Sequence, residues 1–112
     1  MPVACLIVVS RPEEAPLLCQ VWPTFAAELA AALDAEGEDL LAERVGQLRV
    51  VETCGCGDNF CQGFYTAPRP AGAYGDGHRN VCLDPPWPGH LILDVVDDHI
   101  AYVEVLYRVP LC

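Results

Sequence analysis

The chain has 112 residues, 53% of them hydrophobic and 20% charged, a balance that excludes intrinsic disorder and suits one hydrophobic core in a single domain spanning 1–112. Sixteen Asp and Glu stand against six basic residues, for a formal charge of −10. All six are Arg (Arg11, Arg44, Arg49, Arg69, Arg79 and Arg108); scattered singly, they offer neither nucleic acid nor an anionic membrane surface the clustered cations it needs. An acidic surface keeps a protein in solution and also suits a basic protein partner or a cation.

The first element is an apolar, β-branched run over 2–9 without alternation, the pattern of a strand covered on both faces. It is far short of the ~18–20 consecutive apolar residues of a membrane helix. It also lacks the basic leader and small-residue cleavage site of a signal peptide. The expected setting is therefore the reducing cytoplasm, where the seven Cys serve as thiols or metal ligands rather than as a disulfide framework. Between Pro16 and Pro23 the short apolar stretch Leu17 to Trp22 has room for a brief helical turn or an extended segment, and either is compatible with its residues.

Residues 24–36 carry the strongest helical pattern: Thr24 as N-cap, then Phe25, Leu29, Ala32 and Leu33 at helical spacing, with Gly37 as the stop. A second helical stretch over 39–47 places Leu40, Leu41 and Val45 on one side and weakens at Gly46. From Leu48 onwards the period changes. Residues 48–54, 61–66, 80–83, 91–96 and 99–108 read as strands separated by Gly-, Pro- and Asp-rich turns, and Asp97-Asp98 is a connection of hairpin length. Helices first and strands afterwards predict an α+β domain, with the N-terminal helical segment packed on an antiparallel β-meander of about five strands.

The segment that carries chemistry is Cys54-Gly55-Cys56-Gly57-Asp58-Asn59-Phe60-Cys61. Glycines let the turn bring its thiols to one point, and soft thiolates at a turn suit zinc or another thiophilic metal, although C-x-C-x4-C is not the paired knuckle spacing of common zinc sites. His78 and Cys82 are the candidates for a fourth ligand. If 61–66 and 80–83 pair directly, Gly63 lies opposite Cys82 and Cys82 falls diagonal to Cys61 on the same face. Core packing of Cys61 and Cys82 competes evenly with metal binding, and a redox role is weaker because no C-x2-C opens a helix.

Other clusters point elsewhere. Asp94, Asp97 and Asp98 crowd the final turn, where turn formation explains them better than a hard cation. Tyr74 and Trp87 lie in Pro/Gly-rich loops and are candidates for an exposed recognition patch. No nucleophile elbow, phosphate loop or H-E-x-x-H motif occurs, so nothing supports catalysis.

The run from Cys54 to Cys61, followed by Phe64-Tyr65-Thr66, Gly77-His78-Arg79-Asn80-Val81, Leu91-Ile92-Leu93-Asp94-Val95 and Val103-Glu104-Val105-Leu106-Tyr107, resembles a family of small uncharacterised proteins from actinobacteria. The resemblance covers roughly residues 24–108 and implies no activity. Two functions of different kinds remain: a small binding or regulatory protein with a thiol-rich, zinc-like metal site, and a metal-free acidic interaction protein of the inhibitor or immunity type that covers a basic target.

Overall fold

The computed structural model describes residues 11–54 and 60–111; the strand expected over 2–9, and Cys56, lie outside them. Three helices come first: α1 (Leu18–Val21), α2 (Pro23–Ala35) and α3 (Asp39–Arg44), the last continued by a 3-10 turn, Val45–Gln47. Five strands follow: β1 (Glu52–Thr53), β2 (Phe64–Tyr65), β3 (His78–Leu83), β4 (His90–Val96) and β5 (His99–Leu106). They form one antiparallel sheet, so the chain has an α+β fold. No helix among the described residues is long and apolar enough to cross a membrane.

The helix α2 starts two residues earlier than the cap pattern suggests. Pro23 takes the first helical position, where its missing N–H is not needed and its fixed φ is already helical, and Trp22 rather than Thr24 takes the capping position. At the other end Gly37, at φ 76°, stops the helix. The Glu38 amide reaches back to the Leu33 carbonyl at 2.9 Å and the Gly37 amide to that of Asp34 at 3.1 Å, the two bonds of a Schellman motif. Phe25, Leu29 and Leu33 are buried on one face, as their spacing predicts. In α3 the expected apolar side is narrower: Leu41 and Val45, four apart, are buried, whereas Leu40, one position and about 100° away, is 46% exposed.

In the sheet, the order is β1-β2-β5-β4-β3. Consecutive strands are neighbours within β1–β2 and within β3–β4–β5; β2 docks on the other side of β5, so the last four strands make a Greek key read in reverse, with residues 66–77 as its long connection. The hairpin between β4 and β5 turns where the sequence places it: Val96 pairs with His99, and Asp97 (φ 50°) and Asp98 (φ 65°) both adopt the left-handed conformation of a type I′ turn. A bulge at Ala101 shifts the register, so Asp94 faces Tyr102 while Val95 faces Ile100.

The expected strand over 48–54 divides between two partners. Residues 48–50 pair with the chain entering α1, through the bridge between Leu17 and Arg49 and the bond from the Val50 amide to Pro16, and only 52–53 joins the sheet. Alternation then gives the sheet two faces. One carries Phe64, Val81, Leu91, Leu93, Val95, Val103 and Val105 against Leu18, Trp22, Phe25, Leu29, Leu33 and Leu41 of the helices, in one continuous core. Trp22 and Phe25 meet the Phe64 ring edge-on at centroid distances of 5.4 and 5.9 Å. Trp87 is no exposed patch: half-buried, it packs against this core, tilted 6.3 Å from Phe25, and its indole N–H donates to the Leu106 carbonyl at 2.9 Å.

Candidate thiol site

The opposite face of the sheet bears the polar and thiol side chains. The Cys54 amide donates to the Gly63 carbonyl at 2.9 Å, extending the pairing of β1 with β2, and Cys61 bridges to Leu106 of β5. With side chains alternating along each strand, Cys54, Cys61, Gly63, Tyr65 and Tyr102 fall on this outer face, and Cys54 lies diagonal to Cys61. The two Sγ atoms stand 3.5 Å apart, part-buried. Two thiolates bound to one tetrahedral zinc at about 2.3 Å are about 3.8 Å apart, so the pair is already near the spacing a thiophilic ion requires.

Neighbouring side chains hold the pair. Gln62, between Cys61 and Gly63, donates to the carbonyls of Arg108 at 2.8 Å and Val109 at 3.2 Å and accepts from the Leu111 amide at 2.7 Å, fastening this segment to the chain beyond β5. Phe60 stacks on Tyr107 at 5.2 Å while accepting its amide. From the long connection, Arg69 lies over the Tyr65 ring at 4.7 Å and donates to Glu52 at 3.1 Å and to the Cys54 carbonyl at 3.2 Å.

Tyr102 completes the arrangement. Its ring tilts against Tyr65 at 4.5 Å, and its hydroxyl lies over Gly63, in the space a Cβ there would fill. Burial first, then the negative charges of Cys54 and Cys61, a hydrogen bond to Cys54 and the charge of Tyr65 push the phenol far above its ordinary range. It stays protonated and acts as a donor to sulfur.

The remaining expected ligands are elsewhere. Cys82 is on β3, the far edge strand, and exposed. The direct pairing of 61–66 with 80–83 does not occur: β5 and β4 intervene, and three strand spacings of ~4.8 Å put Cys82 roughly 14 Å from β2. The assumed row is nevertheless real. Glu104, Ile92 and Cys82 are successive cross-strand partners, and the pairing of Phe64 with Val103 puts Gly63 at the start of that row. His78 opens β3 and has other company: its Nε2 is 2.7 Å from an Asp94 carboxylate oxygen, to which Asn80 also donates at 2.7 Å, and Tyr74 packs 4.9 Å away. Tyr74, half-buried rather than a free patch, has its phenol pushed up by burial and by the charges of Asp94 and Tyr65, against the pull of Arg69. Asp97 and Asp98 are turn residues by their φ angles. No group of three or more His, Cys, Asp or Glu able to hold a metal occurs among the described residues.

Tyr102 and Arg69 are the site residues that motif reading missed. Alternation along 99–108 marks Tyr102 as facing away from the core, but its meeting with the thiols depends on β5 lying beside β2. Comparison of the chain with protein-family models, curated proteins and solved structures found no match.

Proposed function

We propose that the protein is a small metal-binding regulatory module in which Cys54, Cys56 and Cys61 hold one thiophilic ion, zinc by preference. The observation that supports it is the 3.5 Å approach of Cys54 and Cys61 across a connection that also contains Cys56. His78 and Cys82 are left out of this ligand set. Three thiolates leave a fourth tetrahedral position for water or for a group carried by a partner, and the Tyr102 hydroxyl donates to a ligand sulfur as outer-shell groups in metal sites commonly do. A reducing cytoplasm, which keeps these cysteines available as ligands, belongs to the same reading.

Metal content of protein purified without chelator tests it. About one zinc per chain is expected, lost in Cys54→Ser and Cys61→Ser and retained in Cys82→Ser and His78→Gln. Less than about a tenth of a metal per chain, with Cys56→Ser melting like the parent, overturns the proposal. The charge of −10 then favours a metal-free acidic protein that covers a basic partner.

A further inference from the structure

At the hairpin-turn end of β5, about 20 Å along the strand from the thiol pair at ~3.4 Å per residue, a cleft of about 660 Å³ opens between the end of α3 and the start of β5. Its size is that of a small-molecule site. Leu48, Val51 and Ile100 give it an apolar lining, and Arg44, Arg49 and His99 reach it from its sides. Glu13 is the only carboxylate among the described residues that line it.

The arginines are unusual for this chain. Arg11, Arg69, Arg79 and Arg108 each sit on a carboxylate, of Glu14, Glu52, Glu38 and Glu28 respectively. Arg44 and Arg49 form no ion pair among the described residues, despite the surplus of acids. Each is fixed instead through one terminal nitrogen. Arg44 donates from Nη1 to the Asp98 carbonyl at 2.6 Å, with His99 Nδ1 at 3.4 Å, and Arg49 donates from Nη1 to the Ala15 carbonyl at 2.6 Å. The Nε and Nη2 donors of both, the planar edge that takes a carboxylate side-on, have no partner among the described residues.

We propose that this cleft binds a small organic carboxylate with an apolar body, its carboxylate held by Arg44 and Arg49 and its body laid on Leu48, Val51 and Ile100. The lining argues for an apolar body, and two arginines that line a carboxylate-poor cleft with unpartnered Nε and Nη2 donors argue for the anion. The site is separate from the thiol pair, so it stands or falls independently of metal binding.

The test is an NMR titration of the isotope-labelled full chain with 4-phenylbutyrate, with 4-phenylbutanamide and with inorganic phosphate, read at the Ile100 methyl and the Arg44 and Arg49 Nε–H signals. The carboxylate is expected to shift all three saturably, with the amide and phosphate each at least about tenfold weaker, and Arg44→Gln or Arg49→Gln is expected to cost about tenfold in its affinity. If a Gln variant loses its folded spectrum, the Lys variant at that position stands in, with a similar loss expected because an ammonium lacks the planar pair of donors. The proposal is overturned by equal binding of amide and carboxylate, by equal binding of phosphate, by affinity that survives both substitutions, or by no saturable shift.

Discussion

The two sides of the sheet on either flank of β5 are held by different means. Towards β4 and β3 the ladders are long, with seven paired positions between β4 and β5 and six between β3 and β4, and side chains add to what the backbone already joins. Towards β2 and β1 each ladder has two paired positions, and the connection depends on single side chains: Phe64 anchored in the core, Gln62 bonded to the chain beyond β5, Tyr102 laid over Gly63. Protection in a fold follows the density of buried contacts and ladder bonds, so the flank with the cysteines is the one expected to open first. The candidate site thus sits on the flank with the fewest ladder bonds to hold its geometry.

The substitution that tests this most severely is Phe64→Ala. The ring is fully buried between Trp22 and Phe25, and its loss should cost about 3–5 kcal/mol. If this ring anchors the weaker flank, hydrogen exchange at the Gln62 amide, bonded to Val105, should quicken more than at Leu93; equal quickening would merge the two flanks into one cooperative unit. Leu29→Ala, in the fully buried face of α2, should cost about 2–5 kcal/mol and quicken exchange on both flanks together. An unchanged melting temperature would take α2 out of the core.

Gly63→Ala acts on the thiol flank alone. A methyl group there meets the Tyr102 hydroxyl, so a loss of about 1–3 kcal/mol is expected, together with loss of the hydrogen bond to Cys54. An unshifted Tyr102 resonance would show that this contact is easily relieved. On the strong flank, Asp98→Gly should raise stability by about 0.5–1 kcal/mol in thermal unfolding, because Asp98 holds φ 65° and glycine adopts that conformation without a Cβ penalty.

The smallest effect belongs to the surface pair of Arg79 with Glu38, two bonds of 3.0 Å. Hydrogen bonding by Arg79 holds the Glu38 carboxyl below its ordinary range; burial opposes it, and the Arg79 charge adds a smaller pull in the same direction as the hydrogen bonds. A lowered carboxyl pKa stabilises the fold above the unfolded-state value and stops doing so as the pH falls through the folded one. With the pair open to solvent, Arg79→Gln should lose about 0.2–1 kcal/mol at neutral pH. That difference from the parent should vanish in acid; a difference that persists there would mean that Arg79 acts by packing.

Periodicity made the strong flank legible and left the weak one half read. The face of α2 follows from Phe25, Leu29 and Leu33, and the β4–β5 hairpin from two β-forming runs around a polar pair, because both are local patterns that a few neighbouring residues determine. Strand order is not local. Nothing in 61–66 says that its neighbour is 99–106 rather than 78–83, and placing Cys82 beside Cys61 rested on pairing strands in sequence order. The row was right because alternation and register are local, and the distance was wrong because adjacency is not. Tyr102 was overlooked and Trp87 misplaced for the same reason: a motif shows a residue's neighbours in the chain, whereas the roles of these two depend on partners such as Cys54 and Phe25 from distant segments.

Because β5 lies in the middle of the sheet although it comes last of the strands, a ribosome delivers the molecule in an awkward order. The helices emerge first, before their sheet exists, and the segment with Cys54 and Cys61 follows with no edge to dock on. β3 and β4 can zip together early, yet β2 waits for a strand encoded some forty residues later, and closing so long a loop is slow compared with making a hairpin. During that interval the thiols are without Tyr102 and Leu106, and are open to whatever metal or oxidant the nascent chain meets. Insertion of β5 is therefore the step that both completes the sheet and brings Tyr102 and Leu106 against the thiol segment, so the rate of that single event sets how long a newly made chain stays incompletely folded.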